Sequence, residues 1–300
     1  MGTTNPKHET VAELNSMPKG DTSSFLSWTK IDVEQRIGFH GARFTRVNNL
    51  LTFLMAIILT VSFYAALMPA HATSIASMFT ERGITPYFIC FFTCWAMSIL
   101  IIKWRKLRLQ QKALRLAIVP PDHGFILSAA TVDQVFNRMY EMVDDPKHFV
   151  VLNRIVIALS NLRNLGRVTD VDEMLRSQAE HDESGMETSY SLLRGFVWAI
   201  PVLGFIGTVI GLSQAIGGFG KVLGSSGDMS QITMSLKTVT AGLATAFETT
   251  LEALVAALII QILFTFLKKA EEEFLDNCAE YCQRHVVNRL RIMPYEQERE

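Results

Sequence analysis

Pro201-Val202-Leu203-Gly204-Phe205-Ile206-Gly207-Thr208-Val209-Ile210-Gly211-Leu212 decides the reading of this 300-residue chain. It carries no charge, yet it sets Gly204, Gly207, Thr208, Gly211 and then Ala215 on one stripe of a helix. Small residues at that spacing let a second backbone come close, with Gly207 and Gly211 as a small-xxx-small pair. The stripe lies within Phe196 to Ile216, an apolar run long enough at the helical rise to cross a hydrocarbon core of about 30 Å. A second stretch answers it: Thr238-Val239-Thr240-Ala241-Gly242-Leu243-Ala244-Thr245-Ala246-Phe247-Glu248-Thr249-Thr250-Leu251-Glu252, after which no charge occurs through Leu267. Here Thr238, Ala241, Thr245, Glu248 and Glu252 follow in three- and four-residue steps, which places them in one seam along a helix. An acid at the centre of a bilayer costs roughly 2.5 to 3.5 kcal/mol on insertion scales and normally faces a bundle interior, a cavity or an ion path. Glu248 and Glu252 are therefore functional candidates. Counting the helical rise from the ends of the two runs brings Thr208, Thr250 and Glu252 to comparable depth.

The rest of the chain supports a membrane assignment. Hydrophobic residues make up 49% and charged residues only 19%, a balance tilted away from a purely soluble protein. Two further apolar runs, Leu50 to Met68 and Pro86 to Ile102, flank a loop containing Pro69, Gly83 and a single Arg or Lys, Arg82. They read as a transmembrane hairpin. Arg43 and Arg46 precede it and Lys103, Arg105, Lys106, Arg108, Lys112 and Arg115 follow it, so the positive-inside rule places both of its ends in the cytoplasm. The second hairpin is expected to turn through a Gly- and Ser-rich loop, Phe219 to Gln231, with Gly217-Gly218-Phe219-Gly220 as a turn rather than a phosphate cradle, and Lys268 and Lys269 close it on the cytoplasmic side. The fold class is thus all-α integral membrane, with four transmembrane helices in two hairpins and a cytoplasmic helical domain. The domains read as an N-terminal segment (1–47), hairpin one (48–102), the cytoplasmic domain (103–194), hairpin two (195–267) and a C-terminal helix (268–300).

The polar segments are expected to be mostly helical. The leader lacks the apolar core of a signal peptide, and Pro6 stands where a myristoylation signal needs Ser or Thr. Its first part reads as flexible and Ile31 to Arg46 as an interfacial helix. Pro120-Pro121 and Asp144-Asp145-Pro146 punctuate helices over Thr131 to Val143 and Phe149 to Leu165, and Asp170 to Tyr190 is expected to run into the third span as one long helix. In the tail, Leu275, Cys278, Cys282, Val286 and Leu290 recur at helical spacing, as a docking face would.

Several function classes drop out. A net charge of -1 gives no argument for nucleic acid. The four cysteines do not have the spacing of a secreted disulfide framework, and a Cys278/Cys282/His285 metal site lacks a fourth ligand nearby. HExxH, CxxC, Walker A and GxSxG signatures are absent. The SxxK matches Ser16 to Lys19 and Ser27 to Lys30 lie in the polar leader, so no enzyme and no cofactor is expected. A secondary transporter with a midplane Glu/Thr site is the alternative reading. It requires the two hairpins to resemble each other, and the first carries no counterpart of the Gly/Thr or Glu pattern.

Pro201, Leu203-Gly204, Gly207-Thr208-Val209 and Gly211, with Gly242-Leu243-Ala244-Thr245-Ala246 and Thr250, resemble the MotA/TolQ/ExbB proton-channel subunits. The resemblance covers about Leu192 to Leu267, and the four-span layout looks like the MotA branch. It implies a homopentamer around a dimer of a single-span MotB/TolR/ExbD-like partner in the central pore. Proton flow, or alternatively sodium flow, would drive rotation in a bacterial inner membrane, with both termini cytoplasmic and membrane lipid around the assembly. It also implies that Thr208 and Thr250 line the path, that Pro201 marks a hinge and that the small stripe packs the helices. Combined with the seam, the expected ion pathway is Thr208, Thr245, Glu248, Thr249, Thr250 and Glu252, and the expected hinge and packing set is Pro201, Gly204, Gly207 and Gly211. Two departures from the family stand out: no proline between Ile232 and Met293, and more carboxylates on the last span than relatives usually keep.

Overall fold

The computed structural model describes residues 26–28, 32–36, 38, 43–70, 73–116, 118–119, 127–128, 131–165, 168–224 and 229–290. The helices among them are α1 (Val33–Arg36), α2 (Asn49–Leu67), α3 (Ser74–Thr80), α4 (Thr85–Leu114), α5 (Val132–Met142), α6 (Val150–Leu165), α7 (Val168–Ser189), α8 (Ser191–Gly224) and α9 (Met229–His285). No strand occurs among the described residues, only isolated bridges between Leu26 and Val143 and between Leu127 and Leu290. Four helical runs are long and apolar enough to cross a membrane: α2, α4, the α7–α8 run and α9.

Local sequence sets the helix ends. The Asn48 side chain accepts from the Leu50 amide at 3.0 Å and caps α2. Pro86 in the first turn of α4 costs no hydrogen bond there, because that amide would have no intrahelical acceptor. Within the apolar helices the hydroxyls of Thr60, Thr93 and Ser98 donate to carbonyls four residues back, at 2.7 to 2.8 Å, so they need no outside partner. The long helix expected from Asp170 is interrupted only at Tyr190, a turn residue between α7 and α8.

Two expectations are corrected. The loop expected over Phe219 to Gln231 is helical at both ends, because α8 continues to Gly224 and α9 starts at Met229. Glycine content suggested a turn, but a Cβ on Gly218 would lie 3.3 Å from the Thr238 and Val239 side chains, so tight helix pairing uses that glycine. The interfacial helix expected over Ile31 to Arg46 is reduced, among its described residues, to the single turn α1. Phe44, with φ of 60°, sits in the left-handed region and does not continue a helix. The flexible leader expected at the start falls on residues 1–25, outside the described set, whereas Leu26 to Trp28 are docked. Asp144 accepts from the Ser27 hydroxyl at 2.6 Å and from the Trp28 amide at 2.9 Å, and Trp28 is buried against His148 and Phe149.

Two lysines of the basic cluster after α4's apolar stretch lie inside the protein. Lys103 and Lys106 are each 1% exposed and paired inside the protein, Lys103 with Glu271 at 3.2 Å and Lys106 with Glu34 at 2.6 Å. Glu271 also accepts from the Tyr190 and Thr45 hydroxyls, and Lys106 donates to the Arg46 carbonyl at 2.7 Å. These contacts tie the segment before α2, α4, the start of α8 and α9 into one end of the molecule. Below them Arg154 on α6 pairs with Asp182 on α7 at 2.7 Å, both buried. The tail face lies where its spacing indicated: Cys278, Cys282 and Val286 are buried in the core, with Leu275 and Leu290 packed against it.

Candidate functional site

Helices α8 and α9 pack antiparallel along a line of small residues. A Cβ on Gly204 would meet the Ala253 Cβ at 2.5 Å, one on Gly207 would collide with the Thr249 side chain, and one on Gly211 would lie 2.6 Å from both the Ala246 nitrogen and the Gly242 oxygen. Reciprocally, a Cβ on Gly242 would lie 2.7 Å from the Ala215 nitrogen and the Gly211 oxygen. Gly204, Gly207 and Gly211 therefore allow backbone-to-backbone contact, which a side chain of any size would separate. Pro201 sits one turn before them within α8, which is helical on both sides of it.

This contact brings Thr208 and Thr250 together. Their hydroxyls are hydrogen-bonded to each other. The Thr208 hydroxyl also lies 3.2 Å from the Gly204 carbonyl of its own helix and 3.3 Å from the Ala246 carbonyl of α9. The Thr250 hydroxyl mirrors this, 2.9 Å from Ala246 O of its own helix and 3.2 Å from Gly204 O of α8. Four oxygens thus share two hydroxyl protons. Such a cluster has acceptor capacity left over and can reorient its hydroxyls, as a cation or a migrating proton requires. Both threonines are half-buried, so the cluster opens on one side of the α8–α9 pair.

The remaining polar residues lie elsewhere. Thr245 and Thr249 are buried, and their hydroxyls donate to Ala241 O at 3.0 Å and Thr245 O at 2.8 Å within α9. Glu248 is half-buried and clamped by Arg82, with Nε 2.6 Å from Oε2 and Nη2 3.0 Å from Oε1. Glu252, 6% exposed, has no hydrogen-bond partner for either carboxylate oxygen. It lies on the α4 side of α9, within electrostatic reach of Cys90 of α4 and Tyr64 of α2, whereas the α8 contact is made by Ala246, Thr249, Thr250 and Ala253. The polar residues of α9 are therefore divided between two sides of the helix. The seam reading missed Arg82 as the partner of Glu248, although a lone loop arginine beside an acid-bearing span was the available signal. Among the described residues no group of three or more His, Cys, Asp or Glu could hold a metal, the tail cysteines and His285 included.

Residues 151–280 match the MotA/TolQ/ExbB proton channel family, a stretch running from α6 through most of α9. With its four apolar helices, the chain is a multi-pass membrane protein in which this stretch is similar to that family. Neither a curated protein nor a solved structure matches the chain.

Proposed function

We propose, taking the MotA/TolQ/ExbB proton channel domain at residues 151–280 as the premise, that the chain is an ion-conducting channel subunit of a rotary membrane motor. Five copies surround a dimer of a single-span MotB/TolR/ExbD-like partner, protons pass between them, and the flow turns one ring against the other to deliver mechanical work. The assembly sits in a bacterial inner membrane with both termini of this chain in the cytoplasm. Sodium is the alternative ion.

The observation that carries this reading is the oxygen cluster of Thr208, Thr250, Gly204 O and Ala246 O. It lies about 26 Å along α9 from Leu267 and opens to one side, where a partner helix bearing an acid could exchange a proton with it. Pro201 upstream is the hinge, and the close glycine contacts around the cluster hold its two helices together. Thr245, Glu248 and Glu252 belong to the conducting set only if ions also travel behind α9, and Thr249 sits against Gly207 in the α8 contact. The transporter alternative gains nothing from the first pair of spans: α2 and α4 have no glycine contacts of the kind that joins α8 to α9.

Native mass spectrometry of the chain co-expressed with the product of the adjacent gene tests the architecture. Five copies with two of a single-span partner are expected, and a lone monomer or dimer would sink the motor reading. Ion flux into vesicles containing that complex then tests the path, with loss of flux expected in Thr208→Val.

A further inference from the structure

Behind α9, away from the threonine pair, lies a second polar site. Glu252 is about 22 Å along the helix from Leu267, well inside the apolar span. Both of its carboxylate oxygens are buried and without a partner, and so is the phenol oxygen of Tyr64. The walls come from two other helices, α2 and α4. Tyr64 on α2 is stacked on Tyr87 at 4.6 Å, and Cys90 lies one turn after Tyr87 on α4, within electrostatic reach of both Tyr64 and Glu252. A phenol oxygen from α2 and a thiol from α4 thus lie near a carboxyl group with nothing basic beside it.

The other buried acids of the chain show what is missing. Glu34 has Lys106, Asp182 has Arg154 and Glu271 has Lys103, each as a direct ion pair. Asp32, whose carboxylate oxygens also lack a hydrogen-bond partner, lies outside the spans, where burial raises it above the usual carboxylate range and nearby Lys106 opposes the rise. Glu248, one turn from Glu252, has Arg82. Among the described residues, only Glu252 combines a position inside a span with the absence of any fixed cation, and a buried carboxylate without a counter-charge is not sustained by a packed interior.

We propose that Glu252, with the Tyr64 phenol and the Cys90 thiol, forms a subunit-internal site for a small monovalent cation, a proton or a sodium ion, distinct from the Thr208–Thr250 cluster. The ion supplies the counter-charge that the chain does not. This assignment rests on the reading of the chain as a cation channel for the nature of its ligand, and it adds an ion store in each subunit, screened from the side on which the threonines open.

The test uses the full-length chain with its partner in phospholipid vesicles and dicyclohexylcarbodiimide, which condenses with carboxyl groups in apolar surroundings. Peptide mass spectrometry locates the adduct. It is expected on Glu252, absent from the Arg82-bound Glu248, and lost in Glu252→Gln. Sodium chloride, compared with choline chloride, slows the reaction severalfold if sodium is the occupant and leaves it unchanged if a proton is. An unmodified Glu252, or equal modification of Glu248, overturns the site. Because the readout is an adduct rather than flux, a chain that reacts at Glu252 and conducts nothing would keep this site while removing the channel reading.

Discussion

Arg82 and Glu248, 166 residues apart, are joined by two hydrogen-bonded contacts that fasten the loop between α3 and α4 to the side of α9. The fork geometry of a guanidinium on a carboxylate gives direction as well as attraction. Their side chains remain 19% and 32% exposed, so screening keeps the energy modest. Arg82→Gln and Glu248→Gln are each expected to destabilise the protein by about 1 kcal/mol or less, and the double substitution by no more than either single one. Thermal unfolding of the four proteins in detergent reads this directly. Strictly additive losses would mean that the two side chains act independently.

The glycine contacts predict a contrast within one helix. Gly211→Val pushes a side chain against backbone atoms 2.6 Å from where its Cβ must go, and the facing helix cannot yield without parting from α8 along its length. The expected cost is about 1 to 3 kcal/mol, the range for overpacked interiors. Gly217, also in α8, has nothing within 4 Å of a built Cβ. Gly217→Ala is therefore expected to be neutral or to stabilise by about 0.5 to 1 kcal/mol through helix propensity. Unfolding midpoints of the two variants measured side by side decide it, and equal destabilisation by both would remove close packing as the reason for Gly211.

Glu271 is expected to be the most sensitive charged residue at its end of the molecule. It accepts from Lys103, Tyr190 and Thr45 together, so Glu271→Leu strands a buried ammonium and two hydroxyls. Removing one partner of a buried ion pair costs about 3 to 5 kcal/mol. Lys103→Met leaves Glu271 with both hydroxyl donors and is expected to cost less. Retained monodisperse protein after extraction, compared between the two variants, orders them, and the reverse order would show that Lys103 is held by something other than Glu271.

Periodicity and small-residue spacing were enough to locate the apolar helices, the helical segments of the polar interlude and the glycine face of α8, because each depends on neighbours within a few residues. What escaped depends on distant ones. The steps through Thr245, Glu248 and Glu252 do put the three on related faces of α9, but nothing local says that this face meets α4 and the Arg82 loop while Thr250 meets α8. Lys103 and Lys106 look like ordinary boundary lysines until Glu271 and Glu34 arrive from 168 and 72 residues away. At Gly218 local preference and packing conflicted, and packing prevailed, since a helix interior accepts glycine when the gain is a closely approaching neighbour.

The threonine pair makes the sharpest functional prediction, because valine keeps the shape of threonine and removes only the hydroxyl. Thr208→Val leaves the Thr250 hydroxyl with its own Ala246 carbonyl at 2.9 Å, so the helices remain joined while the four-oxygen cluster loses one of its two mobile protons. Flux through the assembled complex is expected to fall about tenfold or more, as removal of a positioned transition-state donor commonly does, with copy number by native mass spectrometry unchanged. Thr208→Ser restores the hydroxyl and should restore most of the flux. Since both hydroxyls serve one cluster, Thr208→Val/Thr250→Val should lose little beyond the worse single variant. Full flux in the double variant would place the conducting route elsewhere, and the side of α9 that carries Glu252 would be the next to measure.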